Sequence, residues 1–270
     1  MFVPRPSLAW RLYRRIVRTQ VEFFAVPDAI ADVDVLKLCD LPAPFSGVAN
    51  EYRPTVVIDL CQTEDQLWDG LVPKTRRVIR QAKRDGIASG RIFPITEPVW
   101  DALLAAYMKL WRRKNNAGAL GVGQIAELIA RDRFVLTASR DPQGEVLSWH
   151  GYVRVSDRIR LFTTISDIDP ARDTHWNNLV GRAHRLHHWQ DMLAFKAEGV
   201  RSYDFGGVYR GTQDTEQMNI ARFKQSFGGS FADGYDAVVP LTLKGRLALS
   251  LVARIGAEAR AGGPAIRVTA

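Results

Sequence analysis

The order of elements in the sequence predicts an α/β fold, a mixed and mostly antiparallel sheet flanked by helices, and three observations carry that reading. Pro54 to Leu60 (PTVVIDL) is rich in β-branched residues and has the continuous apolar character of a buried strand. Arg133 to Ser139, Glu145 to Val155 and Arg158 to Thr164 are separated by the turn-forming DPQG and by Ser156-Asp157, so they read as an antiparallel meander. Around them, apolar residues recur at three and four, and a helix, strand, helix, strand succession closes the chain. That succession builds a layered sheet rather than a barrel or a bundle.

The elements follow in order. Met1 to Phe24 is apolar but interrupted by Arg5, Arg11, Arg14, Arg15 and Arg18, which suits neither a signal peptide nor a membrane span. Within it Leu8, Trp10, Leu12, Tyr13, Ile16 and Val17 have helical spacing with arginines opposite, a pattern that fits a helix on anionic lipid as well as one packed on its own domain. After the 54–60 strand, Thr63 and Gln66 form a capping-box start. Pro73 interrupts that helix, and a second runs from Lys74 to Gly86, a residue suited to the left-handed C-cap. Helices are expected over Pro98 to Asn115, from Trp100, Leu103, Leu104, Tyr107, Leu110 and Trp111, and over Ile125 to Ala130. Beyond the meander come a helix over Trp176 to Glu198 stopped by Gly199, a strand over Ser202 to Phe205 and a Gly206-Gly207 turn. A helix over Ile220 to Phe227, a strand over Tyr235 to Leu241 and a basic amphipathic stretch over Leu241 to Ala261 complete the chain.

Length and composition exclude a disordered chain, since 270 residues that are 46% apolar can bury a core. With 37 Lys and Arg against 29 Asp and Glu, the net charge of +8 suits a polyanionic partner such as nucleic acid, a diphosphate or an anionic membrane. Cys39 and Cys61 lie in apolar stretches without a CxxC or His-rich neighbourhood and read as buried, reduced thiols.

Chemistry concentrates in Tyr203 to Gly229. Asp204 ends a strand just before two glycines that let the backbone turn and approach a ligand, where α/β sheets place reactive groups. It is a candidate proton acceptor or a brace of the strand end. Arg222 and Lys224 lie on the following helix, where a fixed cation can hold phosphate or stabilise an oxyanion; Phe205 and Phe227 read as core. On the helix after Pro73, about 100° per residue puts Arg76, Arg77, Arg80, Lys83 and Arg84 on one side, opposite Val78, Ile79 and Ala82. Five cations with only Asp85 nearby form a ridge suited to phosphate. Among the histidines, His184 and His188 have the i, i+4 spacing of a metal pair but lack the glutamate of a metalloprotease motif, and no metal site is expected. His175 stands just ahead of its helix and is a candidate for substrate binding.

The pattern YDFGG, a spacer, then FKQSFGG resembles the C-terminal signature of the Fem family of aminoacyltransferases, which use aminoacyl-tRNA to build peptidoglycan cross-bridges, and of related GNAT-like proteins. Leu67 to Gly86 (LWDGLVPKTRRVIRQAKRDG) is similar to a second block of that family, and Trp176 to Gly199 to the long helix that leads into its YDFGG strand. The resemblance covers roughly residues 54 to 240. It implies a GNAT-like fold with a partial N-terminal half: 1–92 with the basic helix pair, 93–241 as the transferase domain and 242–270 as an amphipathic helix and tail. It also implies a transferase without a resident cofactor, taking an acyl or aminoacyl group to an amine, with Phe223 and Lys224 on the family's phenylalanine-lysine pair. Lys224, Asp204 and Arg222 are then the expected catalytic residues. Phe223, Tyr203, Gly206, Gly207, Arg76, Arg77, Arg80, Lys83 and His175 are expected to bind substrate. The chain is shorter than the two-domain cross-bridge enzymes and has no coiled-coil arm. It also lacks the glycine-rich pyrophosphate loop of acetyl-CoA-using relatives; Asp167 to Asn178 (DIDPARDTHWNN) stands there instead, leaving only the following helix N-terminus for a pyrophosphate.

The expected partners are therefore an aminoacyl-tRNA or acyl-CoA donor and an amine acceptor, for which a lipid- or nucleotide-linked precursor is a candidate, in the cytoplasm with peripheral contact at the inner face of the membrane. Two other readings stay open: an acyl-CoA-dependent N-acyltransferase acting on an amino sugar or a natural-product amine, and a catalytically silent module that binds tRNA or membrane.

Overall fold

The computed structural model describes residues 16–113 and 122–261. Eleven strands and seven helices follow in chain order: β1 (Thr19–Phe23), β2 (Val35–Leu41), β3 (Asn50–Tyr52), β4 (Thr55–Asp59), α1 (Glu64–Gly70), α2 (Pro73–Arg84), β5 (Ala88–Arg91), α3 (Glu97–Arg113), α4 (Val122–Ala130), β6 (Phe134–Arg140), β7 (Val146–Val155), β8 (Arg158–Ser166), α5 (Thr174–Ala197), β9 (Ser202–Gly207), α6 (Thr215–Gln225), β10 (Ser230–Ala232), β11 (Tyr235–Pro240) and α7 (Leu243–Ala261). The amphipathic stretch at residues 8–15 lies outside the described residues.

Two compact units result, residues 54–232 and a second formed from 1–53 with 233–270. The division expected at 92/93 falls inside the larger unit, because β4 is paired on both sides within its sheet, between β10 and β9, and α2 packs on α5.

The larger unit is a seven-stranded sheet in the order β10-β4-β9-β8-β7-β6-β5. Neighbours are antiparallel except β8 and β9. That parallel pair is held only from Arg158 to Arg160 against Ser202 to Asp204. Beyond it β8 runs on to Ser166 without a ladder partner on that side. The ladder between the two strands ends there, leaving their C-terminal ends without backbone pairing, a wedge beside Gly206. Gly206 makes the turn possible: its φ is +70°, and a Cβ would stand 2.8 Å from the Leu161 carbonyl oxygen.

Helix α5 covers this sheet. Asp173 starts it by accepting from the Trp176 amide (2.7 Å), and Gly199, with φ at +80°, follows its end. Val180, Ala183, Leu186, Trp189, Met192 and Phe195 form its buried stripe and join Val56, Ile58, Leu60 and Ile79 in one core. Each large apolar side chain there contributes roughly 1.5–3 kcal/mol by burial. The capping box of α1 is present in both directions, Gln66 N to Thr63 Oγ1 and Thr63 N to Gln66 Oε1.

In the smaller unit β1, β2, β11 and β3 make a four-stranded sheet of their own, so β11, expected within the 93–241 domain, lies outside the large sheet. β11 pairs antiparallel with both β2 and β3, and β1 lies parallel to β2. The sequence hid β1 because Gln20 and Glu22 are among its buried residues, joined side chain to side chain at 3.0 Å. Helix α7 belongs to this unit and leaves Leu243, Leu247 and Leu251 exposed at 72%, 64% and 58%. Cys39 is buried as expected, but Cys61 is exposed, since it lies just past the end of β4. Among the described residues no helix is long and apolar enough to cross a membrane.

Candidate functional site

Helix α6, which Asp214 caps by accepting from the Gln217 amide, ends beside the C-terminal end of β9. The helix delivers Phe223 and Lys224 side by side. Lys224 Nζ donates to the Gly206 carbonyl (3.2 Å) and the Gly207 carbonyl (2.5 Å). Burial, reinforced by the positive charge of Arg160 and opposed by Asp204, pushes its ammonium down to about 8. A half-buried amine with that pKa can donate to a developing oxyanion or, once deprotonated, accept a proton. Phe223 stacks on His184 with centroids 5.1 Å apart and planes at 10°, and the Arg185 guanidinium stands 5.0 Å over its ring. Arg160, His184 and Arg185 were not legible as site residues, since nothing in their local sequence places them beside Phe223 and Lys224.

Several expected residues stand elsewhere. The Asp204 carboxylate is fully buried and occupied: Oδ1 accepts from the Gly206 amide (2.7 Å) and the Thr55 hydroxyl, and Oδ2 accepts from Arg158 Nη2 (2.5 Å). It braces the strand end, the second of its two readings. Tyr203 is 0% exposed, with its hydroxyl between that of Tyr152 (2.8 Å) and His188 Nδ1 (2.7 Å), so it does not line a binding surface. Arg222 is exposed and hydrogen-bonded to Asn219, about 200° around the helix from Lys224, so it does not share an oxyanion with that lysine. Gly207 has open space where a Cβ would be, unlike Gly206. His175 is exposed in the first turn of α5, about 13 Å along the axis before His184.

Helix α2 carries the basic ridge as read, with Thr75, Ile79 and Ala82 buried on the other face. Arg77, Arg80, Lys83 and Arg84 are exposed. Arg76 is the exception: it donates to the Trp68 and Asp69 carbonyls (3.4 and 3.0 Å) and so satisfies the end of α1 rather than a ligand. Arg80 and Lys83 stand over the Trp68 ring at 5.3 and 6.0 Å. With Glu64, Asp65 and Trp189 they line a cleft of about 340 Å³.

Behind Phe223 lies a polar cluster inside the core. His150 of β7 meets His184, His187 and His188 of α5, with Asp191 one turn further on. Burial holds His150, His187 and His188 neutral, pushes His184 down to about 4 and pushes the Asp191 carboxyl up.

No family model and no curated protein matches this chain at the level of sequence. Its structure does have relatives. FemX superposes with a TM-score of 0.54 at 12% identity over 74% of this chain. The fold is shared with FemX. The match takes in 64% of FemX, so this chain spans less than two thirds of that protein. A second neighbour is the C-terminal DUF2156 domain of an Agrobacterium fabrum protein assigned as a lysylphosphatidylglycerol synthetase, with a TM-score of 0.52 and 12% identity over 82% of this chain and 72% of that one. The α/β, mostly antiparallel fold that the resemblance implied is thus the fold observed. At this identity the likeness to FemX and to the DUF2156 domain carries the fold, not the substrate.

Proposed function

We propose that this chain transfers an aminoacyl or acyl group from a carrier to an amine of a cell-envelope or polysaccharide precursor. The observation that carries this is Lys224, held on the Gly206 and Gly207 carbonyls beside Phe223 at the mouth of the β8/β9 wedge. These are the two residues that match the Fem phenylalanine-lysine pair. In this reading the acyl carbonyl enters the wedge, Lys224 donates to its developing oxyanion, and Phe223 walls the pocket. Arg77, Arg80 and Lys83 hold carrier or acceptor phosphate.

The connection between β8 and α5 supports aminoacyl-tRNA over coenzyme A. It is acidic, with Asp167 and Asp169 tied to Lys109 (2.7 and 3.0 Å), and the Asp173 carboxylate already occupies the first-turn amide that a pyrophosphate would need. The exposed Leu243, Leu247 and Leu251 of α7, interspersed with Lys244 and Arg246, support peripheral contact with an anionic membrane.

The test is mass spectrometry of candidate amine precursors incubated with charged tRNA or with acyl-CoA. Transfer from charged tRNA that ribonuclease abolishes, and that Lys224→Ala lowers at least about 100-fold, supports the proposal. Unchanged turnover in Lys224→Ala removes the lysine from the mechanism. Ribonuclease-resistant transfer from acyl-CoA moves the donor to the coenzyme. Tight tRNA or liposome binding without transfer makes the chain a binding module.

A further inference from the structure

We infer that the core of the larger unit holds a binding site for one divalent transition-metal ion of the zinc class, with His150, His184 and His188 as ligands. The site is independent of the transferase reading.

His184 and His188 project from successive turns of α5 towards β7, where His150 stands. One ring nitrogen from each of the three lies within 4.8 Å of the others. Ring centroids are separated by 5.1 Å (His150 and His184), 4.8 Å (His184 and His188) and 4.2 Å (His150 and His188). Zinc–nitrogen bonds of about 2.0–2.1 Å in a tetrahedron place imidazole centroids about 5 Å apart. Two pairs are already at that spacing, and the third opens by about 1 Å.

The protons are arranged for metal binding. The Tyr152 hydroxyl donates to Asp191 Oδ2 (2.6 Å), so its oxygen accepts from the Tyr203 hydroxyl (2.8 Å). The Tyr203 oxygen then accepts from His188 Nδ1–H (2.7 Å). His150 Nδ1–H donates to the same Asp191 oxygen (2.9 Å). Both rings are thereby held in the tautomer that leaves Nε2 with its lone pair, the outer-shell arrangement that orients and strengthens histidine ligands. His150 Nε2 is fully buried and has no hydrogen-bond partner among the described residues. A buried acceptor left in that state costs about 1–3 kcal/mol; an ion would satisfy it. Asp191, reached through both chains, supplies compensating negative charge.

His187 is not a ligand. Its Nε2 and Nδ1 are bonded to Thr137 and Ser148 (both 2.8 Å), and its ring lies flat on His150 at 3.7 Å and 8°. The half-exposed His184 is the member nearest the surface, and an ion would fix it beneath Phe223.

The full chain, stripped with chelator, is titrated with Zn²⁺ by calorimetry and with Co²⁺ by visible absorption. One ion per chain with tetrahedral cobalt bands is expected. His184→Ala, at a half-exposed position, should lower affinity at least 100-fold, whereas the exposed His175→Ala should bind as wild type. Tyr203→Phe removes the acceptor of the His188 N–H and should weaken binding about 10–100-fold; a merely structural tyrosine would change thermal stability and leave affinity unmoved. Circular dichroism verifies that each variant is folded. Folded wild-type protein that binds no stoichiometric Zn²⁺, or His184→Ala binding as tightly as wild type, overturns the site.

Discussion

Helices α2 and α5 each carry a row of nitrogen-bearing side chains, and the two rows have opposite fates. On α2 the row is Arg77, Arg80, Lys83 and Arg84, all in solvent, with Ile79 and Ala82 turned inward. On α5 the row is His184, His187 and His188, which faces β7 and closes a network with Asp191, Tyr152 and Tyr203. The reason is desolvation. A guanidinium keeps its charge at any ordinary pH and stays in water, whereas an imidazole can shed its proton and enter the core if its N–H finds an acceptor. An outward row serves ligands that arrive from solvent; an inward row is a fixed part of the fold. The wedge lies between these extremes, with Lys224 half-buried and still protonated at neutral pH.

Four measurements put this contrast to the test. Asp191→Ala removes the acceptor shared by His150, Tyr152 and Thr137, and should cost about 3–5 kcal/mol, a fall of roughly 10 °C or more in Tm. A loss below about 1 kcal/mol in denaturant titration would mean that the inward network does not hold the core. Replacing Arg77, Arg80 and Lys83 together by alanine should weaken tRNA binding about tenfold or more, with the salt dependence falling by about 0.9 for each phosphate no longer neutralised. Stability should move by less than about 0.5 kcal/mol, and a larger change would show the ridge to be structural.

The third measurement concerns the wedge. Because burial depresses Lys224 to about 8, transfer should decline as pH rises through that value and the ammonium is lost, by about tenfold per pH unit above it. Lys224→Arg should erase that limb; a rate that instead climbs through pH 8 would assign the lysine as a base. The smallest effect is expected on α7, where the exposed row is apolar. Leu243→Ser, Leu247→Ser and Leu251→Ser together should reduce co-sedimentation with anionic vesicles several-fold and leave the Tm nearly unchanged, and undiminished binding would take the stripe away from the membrane.

Much of the local structure was legible because its causes are local. The Thr63 capping box, the stops near Gly86 and Gly199 and the β6 to β8 meander are each set by residues within a turn or two of the place they act. The same holds for the turn at Gly206 that brings β9 to the wedge. Fourfold spacing put His184 and His188 on one face of a helix, but periodicity says which side chains share a face, not what stands opposite. His150 lies 34 to 38 residues earlier, on a strand whose local pattern marks it only as buried.

The run of helices and strands, the cationic face of α2 and the adjacency of Phe223 and Lys224 therefore follow from the order of residues along the chain. Three outcomes needed the folded chain: β11 pairs with β2, some 200 residues away in sequence, Arg222 turns from the wedge, and three histidines converge on one point. They depend on which buried polar group finds a partner and which apolar strip finds a cover. That competition is settled across the whole chain, where no local window of residues can register it.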